Sequence, residues 1–339
     1  MNTSQEHRHR EAVVIYRLGS LGDTIVALPC FHAIERATQG QRRIVLTNFP
    51  VSSKAAPLEG ILGGSGLMDE AIAYPLGMRS LSELLKLRQR LRAIGANTLY
   101  YLTAQRGLKV AWRDLIFFKL CGFRHIVGLP LRHSLQTYQV LDEQGTLEHE
   151  ASRLARCMAA LGPMDLDDPG MWDLRITQAE VDQAAAVMRP MANSSFMALN
   201  MGGKIAAKDW GEPNWKTVLA ELASQHGHMG LLVVGAQEDS ERAQRVTQGW
   251  PGTVVDACGR LSPRASAAAM RGARLFMGHD SGPMHLAAAT GVPCIGLFGD
   301  YSEPAVWHPY GKKHHAIHCP DGVQAITPAE VIQAAKSIL

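Results

Sequence analysis

Residues 277–299, MGHDSGPMHLAAATGVPCIGLFG, place several chemically capable groups in one tight turn. Asp280 precedes Ser281, Gly282 and a proline, which open a short Ala-rich helix that stops at a glycine before an apolar run. Free backbone N–H groups at a helix N-terminus bind phosphate, because they lie at the positive end of the helix dipole. A carboxylate repels phosphate, so we expect Asp280 to face a sugar hydroxyl or the backbone. His285 then either contacts the same ligand or is a packed side chain of the helix.

A second glycine-rich turn follows an apolar run near the N-terminus, in the stretch RLGSLGDTIVALP (17–29). It places Asp23 at the start of a predicted helix. Aspartate there is either the N-cap residue or a general base that takes a proton from an incoming hydroxyl, and one side chain can do both. Gly19 and Gly22 would let a ligand approach the backbone closely. Their G-x-x-G spacing lacks the dinucleotide-binding pattern G-x-G-x-x-G, which argues against a dehydrogenase.

Two further loops carry charged residues after predicted strands. NMGGKIAAKDWGEPNW (200–215) contains Gly203, Lys204 and Lys208. A lysine ammonium binds phosphate as a point charge, and a solvated surface lysine is the alternative. In VVGAQEDSERA (233–243), Glu238 and Asp239 follow a strand and a turn. Carboxylates there either accept hydrogen bonds from ribose hydroxyls or favour the first turn of a helix.

The elements that must position these groups alternate between strands and helices. Short apolar or β-branched runs bounded by polar residues predict strands. These runs lie at 12–16, 43–47, 98–103 and 125–129 and, in the second half, at 195–201, 229–235, 253–258, 273–278 and 292–299. An amphipathic helix is predicted over 80–95. The alternation predicts parallel, doubly wound α/β sheets.

The Pro-, Gly- and Asp-rich segment 161–174 predicts a linker. It divides the chain into two predicted domains, 1–172 and 173–339. In open α/β sheets ligands bind at the carboxyl ends of the strands, so we expect the sites to lie in a cleft between the two domains.

The composition limits the classes of protein. Hydrophobic residues make up 46% and charged residues 19% of the 339 positions, enough for a large core. The net charge of +3 comes without a dense basic run and argues against a nucleic-acid partner. The six cysteines form no C-x-x-C pair, which favours a reducing cytoplasm. We expect neither a signal peptide nor a membrane span, since no run approaches about 20 apolar residues.

With these motifs in place, the chain resembles glycosyltransferase family 9, which includes the ADP-heptose:lipopolysaccharide heptosyltransferases. The similarity covers nearly the whole chain and rests mainly on GSLGDTIVALP and DSGPMHLAAATGVPCIGLFG. KDWGEPNW is similar to the family's K-x-W-P-x-x-x-[FW] segment, with Gly211 where proline is usual. The resemblance implies a GT-B fold, acceptor binding on the N-terminal domain, nucleotide-sugar binding on the C-terminal domain, and inverting transfer without a metal ion or cofactor. The Asp-x-Asp pattern of metal-dependent transferases occurs only at 165–167, inside the predicted linker, and we interpret it as chance.

The same resemblance assigns roles by position. Asp23 is the base, and Lys208 neutralises the donor diphosphate. Asp280, Ser281, Gly282 and His285 line the donor site, with Glu238 or Asp239 at the ribose. The residues themselves, rather than the resemblance, add Gly203 and Lys204 of the loop 200–215 as donor-site candidates. They likewise give Gly22, Arg106 and Lys109 as acceptor-site candidates.

The segment 104–128 interleaves basic and aromatic residues. Such a face either meets anionic sugars or lipid headgroups, or belongs to a packed helix with snorkelling side chains. A lipopolysaccharide acceptor implies a peripheral position at the inner face of the inner membrane. Transfer of heptose onto a lipopolysaccharide core or related glycan has two alternatives: a GT-B-like nucleotide-sugar epimerase, and a non-catalytic nucleotide-sugar-binding protein.

Overall fold

The computed structural model describes residues 11–48, 57–74, 80–203, 205–301 and 303–339. The chain forms two compact units, Met1–Met171 and Trp172–Leu339. Each unit is built on a parallel sheet whose strands are connected by helices. The predicted α/β class with two doubly wound domains is therefore confirmed.

The first unit has the strand order β3-β2-β1-β4-β5, with all neighbouring strands parallel. Its strands are β1 (Ala12–Tyr16), β2 (Arg42–Thr47), β3 (Glu70–Ala73), β4 (Thr98–Tyr101) and β5 (His125–Val127). Its helices are α1 (Leu21–Val26), α2 (Leu28–Ala37), α3 (Glu59–Leu62), α4 (Leu81–Ile94), α5 (Leu108–Leu120), α6 (His133–Gln136) and α7 (Glu150–Cys157). The chain runs outward from β1 to β3 and returns to β4 on the other side of β1. The loops after β1 and β4 therefore diverge at a switch point, which is where open α/β sheets bind ligands.

The second unit repeats this plan with the parallel order β11-β10-β9-β6-β7-β8. Its strands are β6 (Phe196–Asn200), β7 (Gly230–Val233), β8 (Val254–Asp256), β9 (Phe276–His279), β10 (Cys294–Phe298) and β11 (His315–His318). Its helices are α8 (Gln178–Met188), α9 (Glu212–His226), α10 (Ser240–Thr247), α11 (Pro263–Met270), α12 (Gly282–Ala289) and α13 (Pro328–Ile338). The switch point here lies between β6 and β9.

Packing in the two cores determines where the strand ends and helix ends lie. In the first unit, the ring of Tyr16 in β1 packs against Tyr101 in β4 and Phe118 in α5, with centroids 5.3 and 5.0 Å apart. In the second unit, Gly296 in β10 lies beneath Met284 of α12, and a Cβ at 296 would come within 2.6 Å of the Met284 sulphur. The glycine therefore lets α12 lie close to the sheet, which sets the position of its N-terminus.

The predicted strands are present, and the described residues contain two further strands that the sequence analysis did not predict. Both missed strands, β3 and β11, are four-residue edge strands with exposed positions, so neither has the continuous apolar run of a strand buried on both faces. The helix predicted over 80–95 is α4, which ends at Gly95 with φ +73°. The helix predicted to start at Asp23 instead begins at Leu21 and is divided into α1 and α2 at Ala27. Among the described residues no helix is both long and apolar enough to cross a bilayer.

Candidate functional site

Asp23 lies in α1, directly after the carboxyl end of β1. Its Oδ2 accepts the main-chain N–H of Ser20 at 2.6 Å and the Ser20 hydroxyl at 2.7 Å. Ser20 is the N-cap residue, and Asp23 occupies the third helical position, from which it closes the turn. The N-cap interpretation of Asp23 is therefore wrong, and one of its two carboxylate oxygens is engaged by the turn itself.

Gly19 makes room for this carboxylate. Its φ is +138°, and a Cβ there would lie 2.6 Å from the Asp23 Cβ and 2.9 Å from Oδ2. Asn48, just after β2, accepts the Gly19 N–H at 2.8 Å and donates its amide to the Gly19 carbonyl at 3.3 Å. The space that we expected a ligand to use at Gly19 is thus filled by the Asp23 side chain.

Arg17 supplies the counter-charge to Asp23 inside the unit. Its side chain is 1% exposed, its Nη2 lies 3.8 Å from Asp23 Oδ1, and its Nη1 donates to the Leu102 carbonyl at 2.9 Å. Within the described residues, its Nε and Nη2 have no hydrogen-bond partner. Burial lowers the pKa of this guanidinium. Removing the Asp23 charge would leave a buried cation poorly compensated.

Arg106 reaches the same switch point from the loop after β4. Its Nη1 donates to the Tyr16 hydroxyl at 3.3 Å and lies 3.7 Å from Asp114 Oδ2. The Arg106 side chain is about one third exposed, whereas Asp114 is buried. Because β1 and β4 are neighbours, Arg106 and Asp23 follow adjacent strand ends.

The other two acceptor-site candidates lie in different surroundings. Gly22 is buried inside α1. Lys109 is exposed in the first turn of α5. Of the three candidates, Arg106 is therefore the cation held at the strand ends.

At the switch point of the second unit, the loops after β6 and β9 bring Lys208 and Asp280 together. Lys208 Nζ lies 2.5 Å from Asp280 Oδ2, and the two side chains are 19% and 11% exposed. The ammonium also lies 4.6 Å from the centroid of the Tyr301 ring, a favourable cation–π distance. The sequence predicted both charged residues for one ligand, but not that they form an ion pair with each other.

The N-terminus of α12 lies beside this pair. The N-cap residue Ser281 donates its hydroxyl to Asn200 Oδ1 at 2.9 Å, and the Asn200 amide donates to the Val234 carbonyl at 2.8 Å. Within the described segment 281–289, the Ser281 side chain accepts no hydrogen bond from the first helical turn. The N–H groups that begin at Gly282 are therefore not capped by that side chain, as an anion site requires. His285 in this helix is 5% exposed, as expected of a packed side chain.

The loop that carries Lys208 is held in place by hydrogen bonds of the next two residues, Asp209 and Trp210. Asp209 accepts two hydrogen bonds from Arg242 in α10, at 2.7 and 2.8 Å. Burial opposes ionisation of Asp209, but the bonds from Arg242 prevail and lower its pKa. The Trp210 N–H donates to His279 Nε2 at 3.1 Å. Burial lowers the pKa of His279 to about 4, so the imidazole stays neutral and keeps Nε2 as an acceptor.

The two acidic residues after β7 occupy different positions. Asp239 Oδ2 accepts the Ala236 N–H at 2.9 Å. The same carboxylate fills the space beside Gly202 and Gly235, where a Cβ would come within 2.1 and 2.7 Å of Oδ2. Glu238 is exposed. Asp239 therefore shapes the turn, and Glu238 is the residue whose side chain faces solvent.

Gly203 is exposed, and a Cβ there would meet no atom closer than the Ile205 carbonyl oxygen at 3.9 Å. Lys204 lies outside the described residues. In the described ranges no group of three or more His, Cys, Asp or Glu side chains is arranged to hold a metal ion. Asp165 accepts the Asp167 N–H at 3.0 Å in a local turn that does not follow a strand.

Sequence reasoning missed five residues that shape the two switch points. They are Arg17, Asn48, Asn200, His279 and Tyr301. Four of them end a strand or follow one within a residue, so a polar side chain at the carboxyl end of an apolar run was the available signal. Tyr301 lies in the loop after β10, without such a signal.

Comparison with known proteins agrees with this geometry. The family model described as glycosyltransferase family 9 (heptosyltransferase) matches residues 84–326, which is most of the chain. The chain belongs to glycosyltransferase family 9. The match spans the loops of Arg106, Lys208 and Asp280 and begins after the segment of Asp23. As a family 9 member, the protein is a heptosyltransferase-like glycosyltransferase.

Three relatives illustrate the relationship. Lipopolysaccharide heptosyltransferase 1 of Pseudomonas aeruginosa is 25% identical over 321 residues, which cover 88% of this chain and 81% of that enzyme. Lipopolysaccharide heptosyltransferase 1 of Salmonella typhimurium is 33% identical over 117 residues, which cover only 34% of this chain and 35% of that enzyme. The E. coli heptosyltransferase WaaC, solved with ADP-2-deoxy-2-fluoro heptose, has a TM-score of 0.65 and 18% identity, with 96% of this chain and 99% of that one covered. This structural likeness confirms the predicted GT-B fold.

Proposed function

We propose that this protein transfers heptose from ADP-heptose onto a lipopolysaccharide core or a related glycan, with inversion at the anomeric carbon and without a metal ion. The observation that carries the proposal is the Lys208–Asp280 ion pair, which joins the loops after β6 and β9 beside the N-terminus of α12. The names of two family 9 relatives and the ligand of a third support heptose and ADP as parts of the donor.

The donor diphosphate is assigned to the first-turn N–H groups of α12 and to Lys208. Negative charge grows on the leaving diphosphate as the sugar–oxygen bond breaks, and fixed positive groups stabilise that charge most where they are already in place. In this structure Asp280 holds the Lys208 ammonium near the helix N-terminus. The donor phosphates would share that ammonium, and the Asp280 carboxylate would accept a hydrogen bond from a sugar hydroxyl.

Glu238 is assigned to the ribose. The carboxylate of its neighbour Asp239 is occupied by the Ala236 N–H and packed against two glycines. Glu238 lies on the same turn after β7 with an exposed side chain, and an acidic residue in this region of a doubly wound unit accepts hydrogen bonds from ribose hydroxyls.

Asp23 is assigned as the base, and its Oδ1 as the proton acceptor. Oδ2 is engaged by Ser20, and Oδ1 belongs to a side chain that is 23% exposed. The acceptor hydroxyl oxygen would attack the anomeric carbon, its proton would pass to Asp23, and the bond to ADP would break with its electron pair leaving on the diphosphate. A single displacement of this kind inverts the anomeric centre. Arg106, at the neighbouring strand end, is assigned to an anionic group of the acceptor.

The first test is calorimetric binding of ADP, UDP, GDP and CMP in the presence of EDTA. We expect ADP to bind most tightly, and Lys208→Gln to weaken that binding. Lys216→Gln is the matched control, because Lys216 is an exposed lysine on α9. A preference for UDP or GDP would refute the ADP-heptose donor, and absence of binding to all four nucleotides would favour another function.

Transfer itself is tested with ADP-heptose and a lipopolysaccharide-core acceptor in EDTA, with the product anomer identified by NMR. The expected product has the configuration opposite to that of the donor. Retention of configuration, or transfer only after a divalent metal is added, would contradict the proposed mechanism. Turnover of the donor without any acceptor would instead indicate an epimerase.

A further inference from the structure

Helix α5 of the first unit presents a face of unusual composition to solvent. Every exposed residue of this helix is either apolar or cationic. The apolar residues are Leu108, Trp112, Ile116 and Leu120, with 36%, 53%, 60% and 59% of their surfaces exposed. The cations are Lys109, Arg113 and Lys119. Exposed apolar groups that cluster on one face mark an interaction surface.

The spacing makes this face continuous. The four apolar residues recur every fourth position, so each lies about 40° around the helix from the last, and together they form a stripe about 18 Å long. The three cations fall within the same exposed arc. The single acid of the helix, Asp114, is 4% exposed and accepts the Tyr101 hydroxyl at 2.8 Å in the interior. The α5 face therefore carries no exposed negative charge.

Helix α4 extends this surface. Arg88 of α4 donates to the Leu120 carbonyl at 2.9 Å, which places α4 beside the end of α5. Leu81 and Leu85 of α4 are 78% and 54% exposed. Its exposed cations Lys86, Arg90 and Arg92 outnumber its one exposed acid, Glu83.

We propose that the α5 face, extended by α4, binds the surface of a bilayer that contains anionic phospholipid. Apolar side chains of such a helix enter the boundary between headgroups and acyl chains, while lysine and arginine remain at the level of the phosphates. Charge favours this occupant over a second copy of the chain. Arg113 is paired with Asp114 at 2.6 Å. A twofold contact would set Lys109 and Lys119 against the same residues of the second copy, with no exposed acid on the α5 face to compensate them.

The α5 face also begins at the proposed acceptor site. Gly107 is the N-cap residue of α5, and Arg106 precedes it at the switch point of the first unit. A bilayer bound along this face would therefore present a lipid-linked acceptor to the loops that carry Arg106 and Asp23. This consequence, unlike the membrane binding itself, rests on the proposed function.

The test is co-sedimentation of the full chain with phosphatidylethanolamine vesicles that contain phosphatidylglycerol, compared with phosphatidylcholine vesicles. We expect binding to the anionic vesicles that weakens as salt is raised. Trp112→Gln/Ile116→Gln should reduce binding about tenfold or more, and Lys109→Gln/Lys119→Gln about fivefold for each charge removed. The matched control is Val140→Gln/Leu141→Gln, because these residues are 63% and 64% exposed but precede Asp142 and Glu143. It should bind like the wild type.

Absence of binding to anionic vesicles, equal binding to phosphatidylcholine vesicles, or unchanged binding of Trp112→Gln/Ile116→Gln would each overturn the proposal. A dimer seen by sedimentation velocity that this double variant abolishes would show instead that the face joins two copies. Vesicle binding needs neither donor nor acceptor, so failure of the proposed transfer would leave it standing. Conversely, Trp112→Gln/Ile116→Gln should retain transfer to a water-soluble, delipidated acceptor, and loss of that activity would contradict a purely membrane-binding role.

Discussion

Replacing Asp23 with asparagine separates the chemical role of this carboxylate from its structural role. Asparagine has the same shape, and its amide oxygen can accept the Ser20 N–H and hydroxyl that Asp23 accepts at 2.6 and 2.7 Å. The turn and the space beside Gly19 are thus preserved. An amide cannot take the proton of the acceptor hydroxyl, so we expect kcat to fall by about 10²- to 10⁴-fold, the usual contribution of a general base.

The structural cost of the same change comes from Arg17. Breaking a fully buried ion pair costs about 3–5 kcal/mol. Asp23 is 23% exposed, and 3.8 Å to Arg17 Nη2 exceeds a hydrogen-bond distance, so we expect a smaller loss of about 1–2 kcal/mol. For a unit of this size that loss corresponds to a decrease in Tm of about 2–8 °C. Arg17→Met/Asp23→Asn lacks the buried cation at position 17, and a double-mutant cycle should return a coupling energy of about 1–2 kcal/mol.

The assays are steady-state transfer from ADP-heptose and urea unfolding, on the wild type, Asp23→Asn, Arg17→Met and the double variant. Both variants that contain the Asp23→Asn substitution should show this loss of kcat of about 10²- to 10⁴-fold, whatever their stability. More than a tenth of wild-type activity in either one would refute the base assignment. Coupling near zero would refute Arg17 as the counter-charge, because the two side chains would then contribute independently. Measuring activity in the double variant keeps the chemical test valid if Asp23→Asn alone is too unstable.

Three further predictions concern the second unit. Lys208→Gln should lower transfer about 10²- to 10³-fold through the lost charge at the leaving group, with Lys216→Gln unaffected; equal losses in steady-state assays of the two would contradict the assignment. Gly202→Ala should lower the Tm measured by calorimetry, because its Cβ would lie 2.1 Å from Asp239 Oδ2. The control Gly203→Ala should keep the wild-type Tm and weaken only ADP binding. A wild-type Tm for Gly202→Ala would disprove the tight fit at Gly202. Burial lowers the pKa of His279, His308 and His314 to about 4 from the ordinary 6.5, so the unfolded chain takes up these protons first as pH falls. The free energy of unfolding should therefore keep its full value above about pH 6.5. Between about pH 6.5 and pH 4 it should fall by up to about 1.4 kcal/mol per pH unit for each histidine. Urea unfolding at pH 7, 6 and 5 measures this slope, and an unchanged slope in His314→Gln would contradict it.

Local patterns were enough to predict most of the elements and the two signature turns. Apolar runs identified the central strands because these strands are buried on both faces, and Ser-Gly-Pro after such a run predicted the start of α12. The same local reasoning failed at edge strands such as β3, where burial is partial. It also could not choose between the N-cap and the general-base interpretation of Asp23, because Ser20 and Asp23 are both good capping residues and only the backbone decides which of them begins the helix.

The amino-acid sequence specifies which residue types stand at the strand ends of this family 9 enzyme. Which of these residues meet depends on how the strands are ordered in each sheet. Lys208 and Asp280 are 72 positions apart and pair because β6 and β9 are neighbours at the switch point, and strand order is not encoded in any local spacing. The same holds for the burial of Arg17 beside Asp23 and for the different surroundings of Asp239 and Glu238, since burial depends on what the rest of the sheet packs around each side chain.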